Sequence, residues 1–443
     1  MRGLRYQPTW QRAAVMAAVG VVCGLFHSQF VRMLSVEWSY FGFVYRNQQM
    51  SGVLVAYCCA LAPSLWLETG ALRPSTVVTE ILYLIVYIPS VFCVSLMSPS
   101  TAEAIPLLGS MLAGMAILSG PFRLARSRRP KRRSALRLPS MAVFMSLVWS
   151  ATGVLVLAVV VSYWDRLSWP SFDTMYQIRL AARSVQDASP IGRYFTHWLA
   201  RLLLPLLIAV ALWRRTYWQL VLVAAAYAVL LAATAHKVYV VGPATVVGLH
   251  LLVRFVPKRI GVGLAVGSAA VLAVVAVVGW SMTTELVFVR TMGWSGLATY
   301  LYSDFVATHP YTWWSHVTGV GLVISNPYDT AIPLLIGGEY FRNPDLTSNA
   351  HFWAMDGLMA AGHAGVVVIS MVCALLFRLV DELAESVVPT VAVPWLGSYA
   401  TSLGDAGLFS ALLTGGLAFA LVVLWWFPRS LRVEGVEAAS GRN

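Results

Sequence analysis

The chain has 443 residues, of which 58% are hydrophobic and only 11% charged, with a net charge of +12. A soluble globular domain carries about 25% charged residues, so this composition, with a mean hydropathy of +0.72, excludes a soluble enzyme or binding domain. The basic excess falls in short stretches between apolar runs, where it sets membrane topology rather than a nucleic-acid surface.

Apolar runs of about 16–24 residues recur along the whole chain and predict an all-α, polytopic integral membrane protein. About twelve spans are expected, over 13–33, 51–68, 76–97, 105–121, 141–163, 197–213, 219–235, 238–256, 260–282, 354–379, 388–403 and 406–427. The first run has no small-residue cleavage pattern after it and reads as a retained helix rather than a signal peptide. Cys23, Cys58, Cys59, Cys93 and Cys373 all lie in apolar segments without CxxC or Cys/His spacing, so neither a disulfide framework nor a metal site is expected. The break between 219–235 and 238–256 is short and carries His236 and Lys237. Pro389, Pro394 and Gly397 interrupt 388–403, which reads as a broken or partly re-entrant helix.

Lys and Arg orient the spans. With both termini inside, 21 of the 31 basic residues fall on the cytoplasmic side, eight of them between Arg123 and Arg137. That basic loop, about 123–140, reads as topogenic and headgroup-binding. Two long connections then face outward, about 164–196 and about 283–353, and long connections are usually functional.

The 164–196 loop mixes Arg166, Arg179, Arg183 and Arg193 with Trp164, Trp169, Tyr176, Tyr194 and, just beyond it, Trp198. Arg179 and Arg183 are four apart and share one face of a short helix bracketed by Pro170 and Pro190. Two compatible readings stand side by side: an amphipathic helix lying on the membrane, and an arginine surface for phosphate or a sugar acid. Lys237 either snorkels to headgroups or contacts a diphosphate, with Gly242-Pro243 opening the helix that follows. The 283–353 loop carries Arg290, Tyr300, Tyr302, Asp304, His309, Tyr311, Trp313, Trp314 and His316. It is too polar to span and too aromatic for a disordered linker, so short helices on the membrane or capping the bundle are expected.

The densest polar stretch is Gly337–Gly365, GGEYFRNPDLTSNAHFWAMDGLMAAGHAG. Asn343-Pro344-Asp345 is a turn signal, and Asp356-Gly357 opens the next apolar run. Ionisable groups near a bilayer are expensive and mark functional sites by default. Glu339, Arg342, Asn343, Asp345, Asn349, His351 and Asp356 crowd within eighteen residues, which argues against a purely structural role. His363 is seven residues beyond Asp356 and on a continuous helix would share its face; it reads as a satisfied bundle histidine.

In this stretch the chain resembles the Wzy-type oligosaccharide repeat-unit polymerases of O-antigen and capsule synthesis. The resemblance rests on NPDLTSNAHFWAMDGLMAAGHAG, on the Lys237 turn before a Gly-Pro-containing helix, on Arg290 opening the large loop, and on Ser410–Gly416 heading the final span. It covers about the C-terminal 280 residues; the first 140 are similar only in hydropathy. It implies a membrane glycosyltransferase akin to the C-type, lipid-linked enzymes. Such an enzyme transfers a growing glycan from an undecaprenyl diphosphate carrier to the non-reducing end of a new lipid-linked repeat, on the periplasmic face of the bacterial inner membrane. It further implies no nucleotide sugar, no metal cofactor, and a chain-length-regulating co-polymerase as partner. A diphosphate leaving group needs charge stabilisation, which Arg290, Lys237 and one of Arg179, Arg183 or Arg193 can supply. The attacking hydroxyl needs a base, for which Asp356, His351 and Glu339 are candidates; Asn343, Asn349 and Tyr300 can orient the glycan. An O-antigen ligase differs from this reading only in its acceptor. A lipid-linked oligosaccharide flippase would line its interior with charge and show repeats, whereas here the span interiors read as nearly charge-free.

Overall fold

The computed structural model describes residues 9–47, 49–68, 70, 72–120, 139–171, 174–188, 190–236, 238–278, 284–317, 319–428 and 431; for 176, 186–188, 190, 191, 193 and 285–287 only the backbone is described. Every extended element among them is helical. Eight stretches are long and apolar enough to cross a bilayer: Thr9–Glu37, Pro74–Met97, Thr101–Ser119, Met141–Ser162, Tyr194–Arg214, Val238–Phe255, Ile260–Val278 and Trp353–Ala384. Met50–Leu65, Trp218–Thr234 and Ile332–Phe341 are shorter apolar helices. Outward aliphatics such as Val161, Val221 and Val277 stay exposed on these helices, which suits lipid and not water.

Two apolar cores form. The first surrounds Pro74–Met97, whose residues from Val77 onward are nearly all buried, and includes Phe26, Tyr302 and Trp353. The second surrounds Tyr194–Arg214 and includes Tyr239, Trp395 and Tyr399.

The 283–353 stretch departs from its expected place on the surface. Its helix Trp294–Thr308 is buried in the first core, because Gly296 lets its backbone lie against Pro89; a Cβ at Gly296 would sit 2.5 Å from the Pro89 carbonyl oxygen. Ser90 Oγ and Thr299 Oγ1, 2.6 Å apart, close the polar part of that seam.

The larger difference lies in 354–379, expected as one span. Ala361 (φ −155°, ψ 33°) and Gly362 (φ 57°, ψ −139°) break the helix. Gly362 takes a conformation that residues with a Cβ avoid, and a Cβ there would meet the Tyr311 hydroxyl. The half-helix Trp353–Leu358 folds back along the helix beyond the break. A straight helix would hold residues 353 and 370 about 25 Å apart, yet Trp353 Nε1 donates to Ser370 Oγ at 2.8 Å. The two arms touch backbone to backbone: a Cβ at Gly365 would lie 2.1 Å from the Gly357 oxygen, and one at Gly357 would lie 3.0 Å from Val366 Cα. Asp356 and His363 therefore sit on opposite arms of a hairpin and do not share a helix face.

The last two expected spans are also interrupted. The 388–403 stretch is Pro389–Gly397 followed by Tyr399–Asp405. The 406–427 stretch is Leu408–Leu412 and Leu417–Trp425, separated by Gly416 at φ 78°; nine residues rise only about 14 Å, so neither piece crosses a bilayer by itself. Ser410–Leu412 thus end the first short helix, and Leu413–Gly416 form the break before the second.

Replacing Gly365 with Val forces the hairpin arms apart. We expect Gly365→Val to destabilise the detergent-solubilised protein by about 1–3 kcal/mol, read as a lowered thermal unfolding midpoint. Gly109→Ala, at a glycine with open space around it, should leave the midpoint within about 0.5 kcal/mol. Equal midpoints for both variants would refute the hairpin contact.

Candidate functional site

The break creates a backbone problem. A helix end leaves its last carbonyls without intrahelical partners, and in a membrane-embedded bundle no bulk water replaces them. The turn 312–316 supplies the donors. Thr312 N–H and Oγ1–H reach the Met359 oxygen (2.8 and 3.1 Å), and Trp313 N–H reaches the Ala360 oxygen at 3.0 Å. To make these bonds, Trp313 and Trp314 take positive φ, 49° and 61°. Bulky residues in that region cost about 1–3 kcal/mol each and persist where the surroundings over-determine them.

The same turn delivers His316 to Asp356. His316 Nδ1 lies 3.0 Å from Thr312 Oγ1, and its Nε2 lies 3.2 Å from Asp356 Oδ1. The other carboxylate oxygen of Asp356 accepts the Leu408 N–H. Gly407 permits that approach, since a Cβ there would overlap the carboxylate at 2.6 Å. Three distant segments thus converge on one acid. The Asp356 side chain is 3% exposed and that of His316 13%, so the histidine is the open side of the pair. With the Thr312 hydroxyl hydrogen on the Met359 oxygen, Thr312 accepts from Nδ1–H, which fixes the His316 ring against Asp356. A carboxylate bonded to an imidazole in a nearly dry setting is an arrangement that general acid–base chemistry uses.

A cavity of about 280 Å³ adjoins the break, lined in part by Arg46, Glu103, Tyr300, Asp304, Tyr311 and His363. Arg46 donates to the Tyr300 hydroxyl at 3.2 Å, and Tyr340 donates to Asp304 at 2.7 Å. Its lining mixes these polar groups with apolar residues such as Val94, Leu107 and Val306. Tyr311 joins the two features: it touches Gly362 on the cavity wall and precedes Thr312 in the chain.

The expected arginines gather elsewhere. The helix Met175–Ala188 carries Arg179 and Arg183. Arg179 Nε donates to the Ala235 oxygen at 3.0 Å, beside the turn before Lys237, and Arg183 donates to the Asp345 oxygen at 3.1 Å. Burial first, and then the nearby Arg290 charge, pull the Arg179 pKa down. The helix therefore links the 235 turn, the 343–345 turn and the Arg290 segment. Lys237 and the Arg193 side chain lie outside the described residues.

The remaining candidates separate from Asp356. Glu339 is exposed. Asn343 is exposed and its Oδ1 accepts Asp345 N–H at 3.0 Å, forming the turn itself. Asn349 is exposed, and its backbone oxygen accepts Trp294 Nε1–H at 2.8 Å. His351 is fully buried rather than at a helix mouth. Its Nδ1 accepts Ala354 N–H, so Nε2–H donates to Thr299 at 2.7 Å. Among the described residues no group of three or more His, Cys, Asp and Glu gathers as a metal site. The partners that sequence reasoning missed are His316 and Thr312. His316 was visible only as one member of an aromatic run, forty residues from Asp356.

Comparison with protein-family models, with curated proteins and with solved structures finds no match to this chain.

Burial holds the His351 pKa at about 3, against an ordinary value near 6.5. Between those values the unfolded chain binds a proton that the folded chain refuses, so stability falls as pH falls through that window and is complete above it. Across pH 6.5 to 5 this amounts to about 2 kcal/mol. His351→Gln should flatten the acid side of the unfolding-midpoint profile by that amount; a profile as steep as that of the native chain would mean His351 carries its proton in the fold.

Proposed function

We propose that this protein is a membrane glycosyltransferase that polymerises undecaprenyl diphosphate-linked oligosaccharide repeats, of the Wzy type. The observation that carries the reading is the Asp356–His316 pair, at a helix break whose Gly362 lines a polar cavity. The resemblance around Gly337–Gly365 supplies the substrate class.

On this reading the acceptor repeat places its non-reducing hydroxyl in the cavity by Tyr300 and Asp304. Asp356, held by His316 and by the Leu408 N–H, takes the hydroxyl proton as the acceptor oxygen bonds to the anomeric carbon of the growing chain. The bond from that carbon to the diphosphate oxygen breaks, and the oxygen keeps the electron pair. Arg179, Arg183, Arg290 and Lys237 stabilise the departing diphosphate. Twelve spans, with the site on the periplasmic face of the bacterial inner membrane, complete the proposal. The transfer needs no nucleotide sugar and no metal, and a co-polymerase sets chain length.

The test is purified protein with a lipid diphosphate-linked repeat unit, read as a ladder of longer glycans on a gel. Asp356→Asn and His316→Gln should each slow ladder formation by about 10²–10⁴-fold, and Arg290→Ala should abolish it while membrane insertion persists. No ladder from the native chain with its own repeat unit sinks the reading. Unchanged rates in the Asp356 and His316 variants remove the pair from the chemistry.

A further inference from the structure

Residues 317–328, VTGVGLVISNPY, carry no charged side chain. Gly319 turns the chain there at φ 100°, and a 3-10 turn, Val320–Leu322, follows without burying any of its side chains. Leu322 and Val323 are 90% and 87% exposed, and Ile324 is exposed beside them. Single exposed aliphatics are ordinary, but a contiguous exposed run marks an interaction surface.

The backbone of the same segment bonds to itself. Val320 and Gly321 N–H donate to the Val317 oxygen, Leu322 N–H to the Gly319 oxygen, and Val323 and Ile324 N–H to the Val320 oxygen, all at 2.9–3.3 Å. Every N–H from 320 to 324 thus has a partner within the tip, which is what an apolar medium demands. Gly321 packs on the Ser315 oxygen, where a Cβ would lie 2.6 Å away, so the tip is held against the turn that carries His316.

The spans fix the level of that turn. Pro74–Met97 has 24 residues and rises about 36 Å, enough to cross the hydrocarbon core. At its first turn, the Ser75 N–H and hydroxyl bond the Asp381 carboxylate. Past its far end, Ser98 and Pro99 share a cavity wall with Gly362 and His363. Residues 362–381 therefore run beside it across the same thickness, and the break at Gly362 lies at a membrane boundary. The 312–316 turn caps that break through the Met359 and Ala360 oxygens, so it lies there too. Tyr311 and Trp313, both exposed, give this level the aromatic belt of a bilayer interface. Beyond the break, Val368, Val372, Leu375 and Leu379 form an exposed stripe along one helix face, a surface suited to lipid.

We propose that residues 320–324 insert into the lipid at this boundary, with Leu322, Val323 and Ile324 as the inserted side chains. Lipid removes these aliphatics from water. A shallow insertion suffices, since interfacial segments reach about 5–10 Å into the headgroup and acyl boundary. The occupant is lipid rather than protein because the tip sits at the edge of the level where the exposed aliphatic stripe already meets lipid. None of this depends on glycosyl transfer.

The test is fluorescence quenching in proteoliposomes. Val323→Cys is made in the full-length chain carrying Cys58→Ala, which removes the exposed native thiol, and is labelled with the maleimide of the fluorophore NBD. The protein is reconstituted into vesicles of phosphatidylethanolamine and phosphatidylglycerol, and the signal of the Cys58→Ala chain treated likewise is subtracted. Lipids brominated high on the acyl chain should quench the label by at least about half. Iodide on both sides should quench it about fivefold less than a label at Asp329→Cys, an exposed position just past the uncharged run. Iodide quenching as strong as at Asp329→Cys overturns the proposal, as does quenching by neither agent, which would mean that protein covers the tip. Leu322→Asp in the labelled chain should raise iodide quenching to the level seen at Asp329→Cys, because a carboxylate is costly in lipid. Quenching unchanged by Leu322→Asp would also overturn it, since lipid would then not set the position of the tip. Ile324→Cys carries the same measurement if Val323→Cys does not reconstitute.

Discussion

The backbone of a membrane-embedded chain must satisfy its own hydrogen bonds, because the bilayer core offers none. That constraint bears hardest where a helix stops inside the bundle, as it does at Ala361–Gly362. The half-helix Trp353–Leu358 and the residues up to the break end in carbonyls that point at no intrahelical donor. The 312–316 turn covers the Met359 and Ala360 oxygens, at the expense of two strained tryptophans. Much of the site follows from that one repair. Thr312, needed as a cap, also fixes the His316 ring, and the ring so fixed reaches Asp356.

Small residues make the convergence possible. Gly357 and Gly365 let the hairpin arms touch through their backbones, Gly296 seats Trp294–Thr308 against Pro89, and Gly407 brings the Leu408 N–H onto Asp356. Each close approach removes space for water, which strengthens every charge interaction that remains. The result is an acid with two fixed partners, at a break whose Gly362 lines a cavity that also carries hydroxyls, carboxylates and Arg46. The second polar feature, the arginine-bearing helix Met175–Ala188, is tied by backbone carbonyls to the 235 and 345 turns, so distant segments are drawn to one surface.

Legibility in the sequence followed the range of the interactions. Arg179 and Arg183 could be placed on one helix face because a helix repeats locally. Asp356 stood out because a carboxylate heading an apolar run is costly. His316 could not be paired with it, since a forty-residue separation leaves no periodic trace. Asp356 and His363, by contrast, were joined by a periodicity that Gly362 cancels. His351 looked like a helix-mouth residue from its neighbours, whereas Thr299 and Trp353 pack against it in the core.

By itself the sequence determined the class of the protein: a helical chain embedded in a membrane, with its expensive polar groups concentrated in the stretches around 164–196 and 283–365. Composition and run length suffice for that, because transfer of apolar surface from water depends on amount and not on arrangement. The tertiary structure decided where the helices break, which turn caps the broken end, and hence that His316 and not His351 meets Asp356. Those outcomes depend on glycine backbones that approach within van der Waals contact and on carbonyls that only a distant segment can satisfy. Such relations exist only once the chain is folded.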